Sequence, residues 1–235
     1  METKIEYYEE AVRSVCTVDE KGVKQGPFEI YYNNGQLKEK GTYKNGELDG
    51  LHETYYENGQ LEEKSEYKDG KLNGLEEIYF RDGGLMRKCS YKDGERDGLC
   101  EEYVNGHIST KKAYKNGKEE GPFEVYNNKG DVNRKGFLKN RELDGPSEVY
   151  DYKEQVWKRE IYKEGRQLFR QEAEEYLKEW EKIHFEDLLK SERRGLNARL
   201  KQLDKQMKPS PLRQSAKRTE VAKFRAKYRE KSAGK

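Results

Sequence analysis

The chain is poor in the residues that most often decide a fold or a chemistry: its 235 residues include three cysteines, five prolines, three histidines and two tryptophans. Cys16, Cys89 and Cys100 form no CxxC pair, and an odd count in a chain this long makes a poor disulfide framework, so a reducing compartment is expected. His52, His107 and His184 lie too far apart in sequence for a local ligand set. No P-loop, HExxH, GxSxG, paired Cys/His spacing or GxGxxG after a strand occurs. Neither catalysis nor a metal or cofactor is therefore expected. Nowhere do 18 apolar residues run together, and the opening METKIEYYEEAVRSV lacks an apolar core of signal-peptide length. The expected location is cytoplasmic, or inside a virus particle, with no secretion and no transmembrane segment.

Apolar residues are also scarce. Leu, Ile, Val and Phe together make up fewer than one residue in five, whereas 40% are charged, and the mean hydropathy is −1.32. Such a composition by itself leaves a chain disordered. Two features oppose that outcome: there are 18 tyrosines, and the 22 glycines are regularly placed. A tyrosine buries a large ring while its hydroxyl stays wet, so tyrosines can hold a thin sheet that has no deep interior.

The regularity is a repeat. Gly26, Gly50, Gly74, Gly98, Gly121 and Gly145 are spaced 24, 24, 24, 23 and 24 apart. Three residues beyond each lie Glu29, Glu53, Glu77, Glu101, Glu124 and Glu148, and five beyond lie Tyr31, Tyr55, Tyr79, Tyr103, Tyr126 and Tyr150. Gly35, Gly59, Gly83, Gly106 and Gly130 follow, then an apolar column of Leu37, Leu61, Leu85, Ile108, Val132 and Val156. A second ring column is Tyr43, Tyr67, Tyr91, Tyr114 and Tyr162, with Leu138 as the exception.

Asn-Gly and Asp-Gly between short alternating segments signal hairpins, because type I′ turns need positive φ at both central residues. Each unit holds two such sites, as at Asn34-Gly35 and Asn45-Gly46. Two strands per unit then extend one antiparallel sheet, and at about 4.8 Å per strand six units span roughly 55 to 60 Å. The expected fold is mainly β: an elongated, single-layer antiparallel β-hairpin array.

A side-chain period of two puts Glu29 and Tyr31 on one face and Phe28, Ile30 and Tyr32 on the other. The small residue at Gly41, Ser65, Cys89 and Gly136 leaves room for a neighbouring ring. The Tyr columns are read as the stacking core: Tyr31, Tyr55, Tyr79, Tyr103, Tyr126 and Tyr150, with Tyr43, Tyr67, Tyr91 and Tyr114. The Glu column is read as a structural ladder, pairing with turn amides or with Lys40, Lys64, Lys88, Lys111, Lys135 and Arg159, rather than as a catalytic row. Phe28, His52, Glu76, Cys100, Phe123 and Ser147 share one offset but vary in kind. That column is expected to be a variable face on which partner specificity is written.

The pattern G-x-x-E-x-Y-x-x-x-G-x-L-x-x-K-x-x-Y-K-[ND]-G, as in Gly50 to Gly70, resembles the MORN repeat, in the shorter bacterial and viral variant found in the YwqK family of antitoxins. The resemblance covers about residues 18–165. It implies an elongated hairpin array that binds other proteins, in some members a cognate toxin. Three departures stand out: unit four is one residue short near Val104-Asn105-Gly106, unit five has Arg141 for Gly, and unit six has Glu154 for the turn Gly.

Four segments are expected: 1–17, the repeats at 18–165, an amphipathic helical segment at 166–207 and a basic tail at 208–235. Residues 1–165 carry 28 Lys and Arg against 35 Asp and Glu, whereas residues 193–235 carry 15 against three. From Gln167 the apolar spacing changes to three or four, through Phe169, Ala173, Tyr176, Leu177, Trp180, Ile183, Phe185, Leu188 and Leu189. Leu177, Trp180 and Leu188 are the candidate interface of this helix, which either caps the array or meets a second copy or a partner. In the tail, Lys217, Arg218, Lys223, Arg225, Lys227 and Arg229 surround Phe224 and Tyr228, a pattern suited to phosphates and bases. An anionic membrane or the acidic repeats of a second copy would also suit it, and such a tail can simply be solvated.

The functional expectation is a non-catalytic protein–protein interaction scaffold, anchored through its C-terminal extension. The alternatives are a nucleic-acid-associated or virion structural protein and an antitoxin. A homo-oligomer is compatible with each.

Overall fold

The computed structural model describes residues 2–8 and 11–184. Seventeen strands form one open antiparallel sheet, followed by a helix over 170–184. The sheet opens with β1 (Glu2–Tyr8), β2 (Ala11–Val18), β3 (Lys24–Tyr31), β4 (Leu37–Lys44) and β5 (Glu47–Leu48). It continues through β6 (Gly50–Tyr55), β7 (Leu61–Lys68), β8 (Lys71–Tyr79), β9 (Leu85–Lys92), β10 (Glu95–Val104) and β11 (His107–Lys115). The last strands are β12 (Lys118–Tyr126), β13 (Val132–Lys139), β14 (Glu142–Leu143), β15 (Gly145–Asp151), β16 (Val156–Lys163) and β17 (Arg166–Leu168). Strands pair with their sequence neighbours, except that β4 and β13 each pair with two successive pieces of one interrupted strand.

The two turns of each unit differ. Asn45 and Gly46 both take positive φ, as do Asp69-Gly70, Asp93-Gly94 and Asn116-Gly117, so these are the two-residue turns expected. At the other site only the glycine does so, at Gly35, Gly59, Gly83 and Gly130. A type I′ turn was expected there too; instead Asn34 Oδ1 accepts from the Gln36 amide at 2.9 Å and holds a longer loop. The short fourth unit now has its reason: Asn105-Gly106 is a tight turn in place of the longer one, and Tyr103 still pairs with Ile108.

The glycines that align the repeats lie inside strands. Arg96 pairs with Tyr91 and Cys100 with Cys89, so Asp97, Gly98 and Leu99 together oppose Ser90, with Gly98 at φ +113°. This bulge bends the strand and recurs at Gly50, Gly74, Gly121 and Gly145.

Successive units are joined at the tight turns. The Gly46 amide donates to Lys24 O at 2.9 Å, and Gly70, Gly94, Gly117 and Gly165 repeat the bond to Leu48, Leu72, Arg96 and Leu143. At the opposite edge the Tyr32 hydroxyl donates to Tyr55 O and that of Tyr56 to Tyr79 O, each at 2.7 Å.

At both ends the sheet runs past the repeats expected at 18–165. Residues 2–8 and 11–18 are a hairpin of the same sheet. Arg166–Leu168 is a strand rather than the start of the helical segment, because Glu164-Gly165 makes one more tight turn. The boundary between compact units falls at Ala173/Glu174.

Candidate functional site

One face carries a continuous charge ladder. Glu29 pairs with Lys40, Lys40 with Glu53, Glu53 with Lys64, and the alternation continues unbroken through Glu77, Lys88, Glu101, Lys111, Glu124, Lys135 and Glu148 to Arg159. Lys40 Nζ lies 2.7 Å from Glu53, Lys88 2.6 Å from Glu77, and Lys135 2.8 Å from Glu148. Five of the six acids are also held by the tyrosine two residues on. The hydroxyls of Tyr55, Tyr79 and Tyr103 donate to Glu53, Glu77 and Glu101 at 2.6, 3.1 and 2.8 Å, and Tyr31 and Tyr126 bond Glu29 and Glu124 in the same way.

This bonding fixes protonation. Burial works against ionisation of Glu53, but the bonds from Lys40 and Tyr55 outweigh it and hold the carboxyl below its ordinary value. For Glu77 the Lys88 bond is the leading cause of the same shift. Burial, then the bond to Glu101, pushes Tyr103 up to about 12. Carboxylates engaged in this way are structural members and poor general acids.

The opposite face holds the buried row. Phe28 is 3% exposed and Ser147 1%, and His52, Glu76, Cys100 and Phe123 are buried as well. Phe28 faces Gly41, His52 faces Ser65, Glu76 faces Cys89, and Phe123 faces Gly136, so a large residue is set against a small one. A Cβ on Gly41 would lie 2.9 Å from Phe28 Cε1, which is why the glycine is there. Tyr43 flanks the row with its ring 4.5 Å from Phe28, and Tyr67 meets His52 edge-on at 5.6 Å. His52 Nε2 is 2.8 Å from Glu39 Oε1, while Glu76 accepts from Arg87 and Tyr91 at 3.0 and 3.3 Å.

The column expected to meet a partner, Phe28, His52, Glu76, Cys100 and Phe123, is thus the enclosed row, and this corrects its reading as an outward face. The ten tyrosines of the expected core are half-buried and divide between the faces: Tyr31, Tyr55, Tyr79, Tyr103, Tyr126 and Tyr150 beside the ladder, and Tyr43, Tyr67, Tyr91 and Tyr114 beside the buried row. The cysteines do not all stay apart. β9 and β10 set Cys89 opposite Cys100, with Cα atoms 4.0 Å apart and the sulfurs bonded.

On the helix, Trp180 is buried and stacks on His184 with centroids 4.1 Å apart, and Leu177 is half-buried. Leu188 and the tail residues Lys217, Arg218, Lys223, Arg225, Lys227 and Arg229 lie outside the described residues.

A further row went unread in the sequence. One residue after each alignment glycine comes Pro27, Leu51, Leu75, Leu99, Pro122 and Pro146, and the period of two places this row beside the ladder on its face. Leu51 is 44% exposed and Leu99 43%. The signal was an apolar offset present in all six units. At unit six, Tyr150 pairs with Trp157 rather than with Val156, and Tyr150 forms a ring cluster with the exposed Trp157 and Tyr152, with Lys135 Nζ 5.4 Å from the Trp157 ring.

Three units of this sheet match the MORN repeat variant, at residues 24–45, 48–69 and 72–93. The departures from the pattern all lie beyond these segments: the short turn at Asn105, Arg141, and the altered loop before Val156. No curated protein matches the chain. Among the described residues no helix is long and apolar enough to cross a membrane, and no group of three or more His, Cys, Asp or Glu could hold a metal ion.

Proposed function

We propose that the chain is a non-catalytic interaction scaffold whose ladder face receives a protein partner while the C-terminal extension beyond Leu168 anchors it. The observation that carries this reading is the exposed apolar row at Leu51 and Leu99 beside a ladder whose charges neutralise each other. MORN repeats generally bind proteins or membranes. A neutralised ladder gives a partner hydrogen-bonding groups without long-range attraction or repulsion, and the apolar side chains recur every two strands, about 10 Å apart. Affinity on such a face comes from desolvated apolar anchors and resists salt.

The tail at 208–235 supports a second reading, in which its Lys and Arg contact nucleic-acid phosphates in a nucleoprotein assembly or virion. An antitoxin role rests on the family resemblance alone. A cytoplasmic location belongs to the same proposal.

The test is recovery of partners on the full-length chain at low and high salt, beside a deletion of 208–235 and the double variant Leu51→Asp/Leu99→Asp. A protein retained through high salt and through the deletion, but lost with the double variant, supports the scaffold. Nucleic acid recovered instead, and lost with salt or with the tail, overturns it in favour of the second reading.

A further inference from the structure

The outermost strands of the sheet are β1 and β17, each paired on one side among the described residues. They are not equivalent edges. β17 has three residues and β1 has seven. Glu6 pairs with Ser14 and Tyr7 with Val12, so the extra residue of that pairing is Arg13 on β2, and β1 runs without a bulge. It contains no proline or glycine. A regular strand of this length, with a row of backbone donors and acceptors facing outward, takes up another strand unless something blunts it.

Lys4 is the residue on β1 that would ordinarily blunt the edge. Its register removes that effect when the other strand is β1 itself. A two-fold axis at Ile5 sets Ile5 opposite Ile5 and Lys4 opposite Glu6, twice, so the strand is complementary to its own reverse. The row structure agrees. Ile5 pairs with Val15 and Val15 with Glu29, so the charge ladder gives way at this edge to two apolar residues, of which Ile5 is 46% exposed. Two copies joined here would bring Val15 and Ile5 of each into one apolar stretch between two charge ladders.

We propose that β1 is a homodimerisation strand, two copies pairing antiparallel about Ile5 so that the sheet continues from one chain into the other. The occupant is a second copy of this chain because the charge order of Lys4 and Glu6 is satisfied by its own inverse. The pairing leaves the ladder face and its apolar row free for a partner, so it stands independently of the scaffold reading.

The test is the molar mass of the full-length chain by light scattering across micromolar concentrations. The expected value is twice the chain's 27.8 kDa. Ile5→Pro removes a backbone donor at the centre of the pairing and is expected to return the single-chain mass with an unchanged circular dichroism spectrum. Lys4→Glu or Glu6→Lys alone sets two like-charge pairs in place of two opposite ones and is expected to raise the dissociation constant about tenfold, while the two together restore it. A parent chain of single mass throughout, a dimer indifferent to Ile5→Pro, or a double charge variant that fails to recover would each overturn the proposal. So would a single-mass chain whose β1 edge takes up an extended segment of a different protein.

Discussion

The amide of Arg141 donates to Glu119 O at 3.0 Å, the place in the fifth unit where Gly46 donates to Lys24 O in the first. Arg141 holds φ +74° to do so, beside Asn140 at +51°. A branched-off Cβ makes that conformation costly, and the inter-unit bond maintains it against the cost. Arg141→Gly is therefore expected to stabilise the array by about 1 kcal/mol, read as a raised denaturant midpoint with an unchanged slope.

Gly136 is the opposite case. Its φ is ordinary, but a Cβ there would lie 2.9 Å from Phe123 Cε1, 3.1 Å from Pro146 O and 3.2 Å from Ser147 Cα. Two of those neighbours are backbone and cannot turn aside. Gly136→Ala is expected to cost about 1–3 kcal/mol, with Phe123→Leu in the same chain recovering part of the loss.

How much of this could be read in the sequence depends on the row. The ladder was legible because acid and base columns both keep constant offsets, and the ring over Gly41 was legible because a small residue recurs there. Which face is enclosed was not. A single-layer sheet carries rings on both faces, and Tyr31 and Tyr43 give no sign of which column flanks the buried row. The variable column of Phe28, His52 and Glu76 looked outward because it varies, whereas each member is fitted to the small residue beside it. The pairing of Cys89 with Cys100 was hidden by the bulge: a hairpin folded at Asp93-Gly94 without one would put Gly98 opposite Cys89.

The cysteines give a direct measurement. With Cys89 and Cys100 bonded, the native chain is expected to release one titratable thiol, from Cys16, and three after reduction and unfolding. Cys89→Ser should expose Cys100 as a second thiol in the denatured, unreduced protein, whereas Cys16→Ser should abolish the native signal.

The tyrosine bonds set an alkaline limit. Tyr103 is raised from 10.0 to about 12 by burial and by Glu101, so its contribution is complete below pH 10 and is lost as pH climbs toward 12. Stability curves of the parent and of Tyr103→Phe are expected to lie apart at neutral pH and to converge over that window. Curves that stay parallel would show that the Glu101 bond does not couple to ionisation. Glu53 and Glu77, held below their ordinary 4.5, set the acid limb: their contribution is present above that value and fades as pH falls through the depressed one.

A chain built from near-copies can zip up out of step, since a slip of one whole unit still sets Glu against Lys along the ladder. The enclosed row forbids it. Phe28 fits over Gly41 and Phe123 over Gly136, but a slip would offer Phe28 the Ser65 position and push Phe123 toward Glu160. Its irregularity therefore works as a set of address labels, one per unit, which lets a repetitive sequence have a single alignment. Shuffling those six residues among their positions would keep composition, charge and every turn, and would remove the information that tells each hairpin where it belongs.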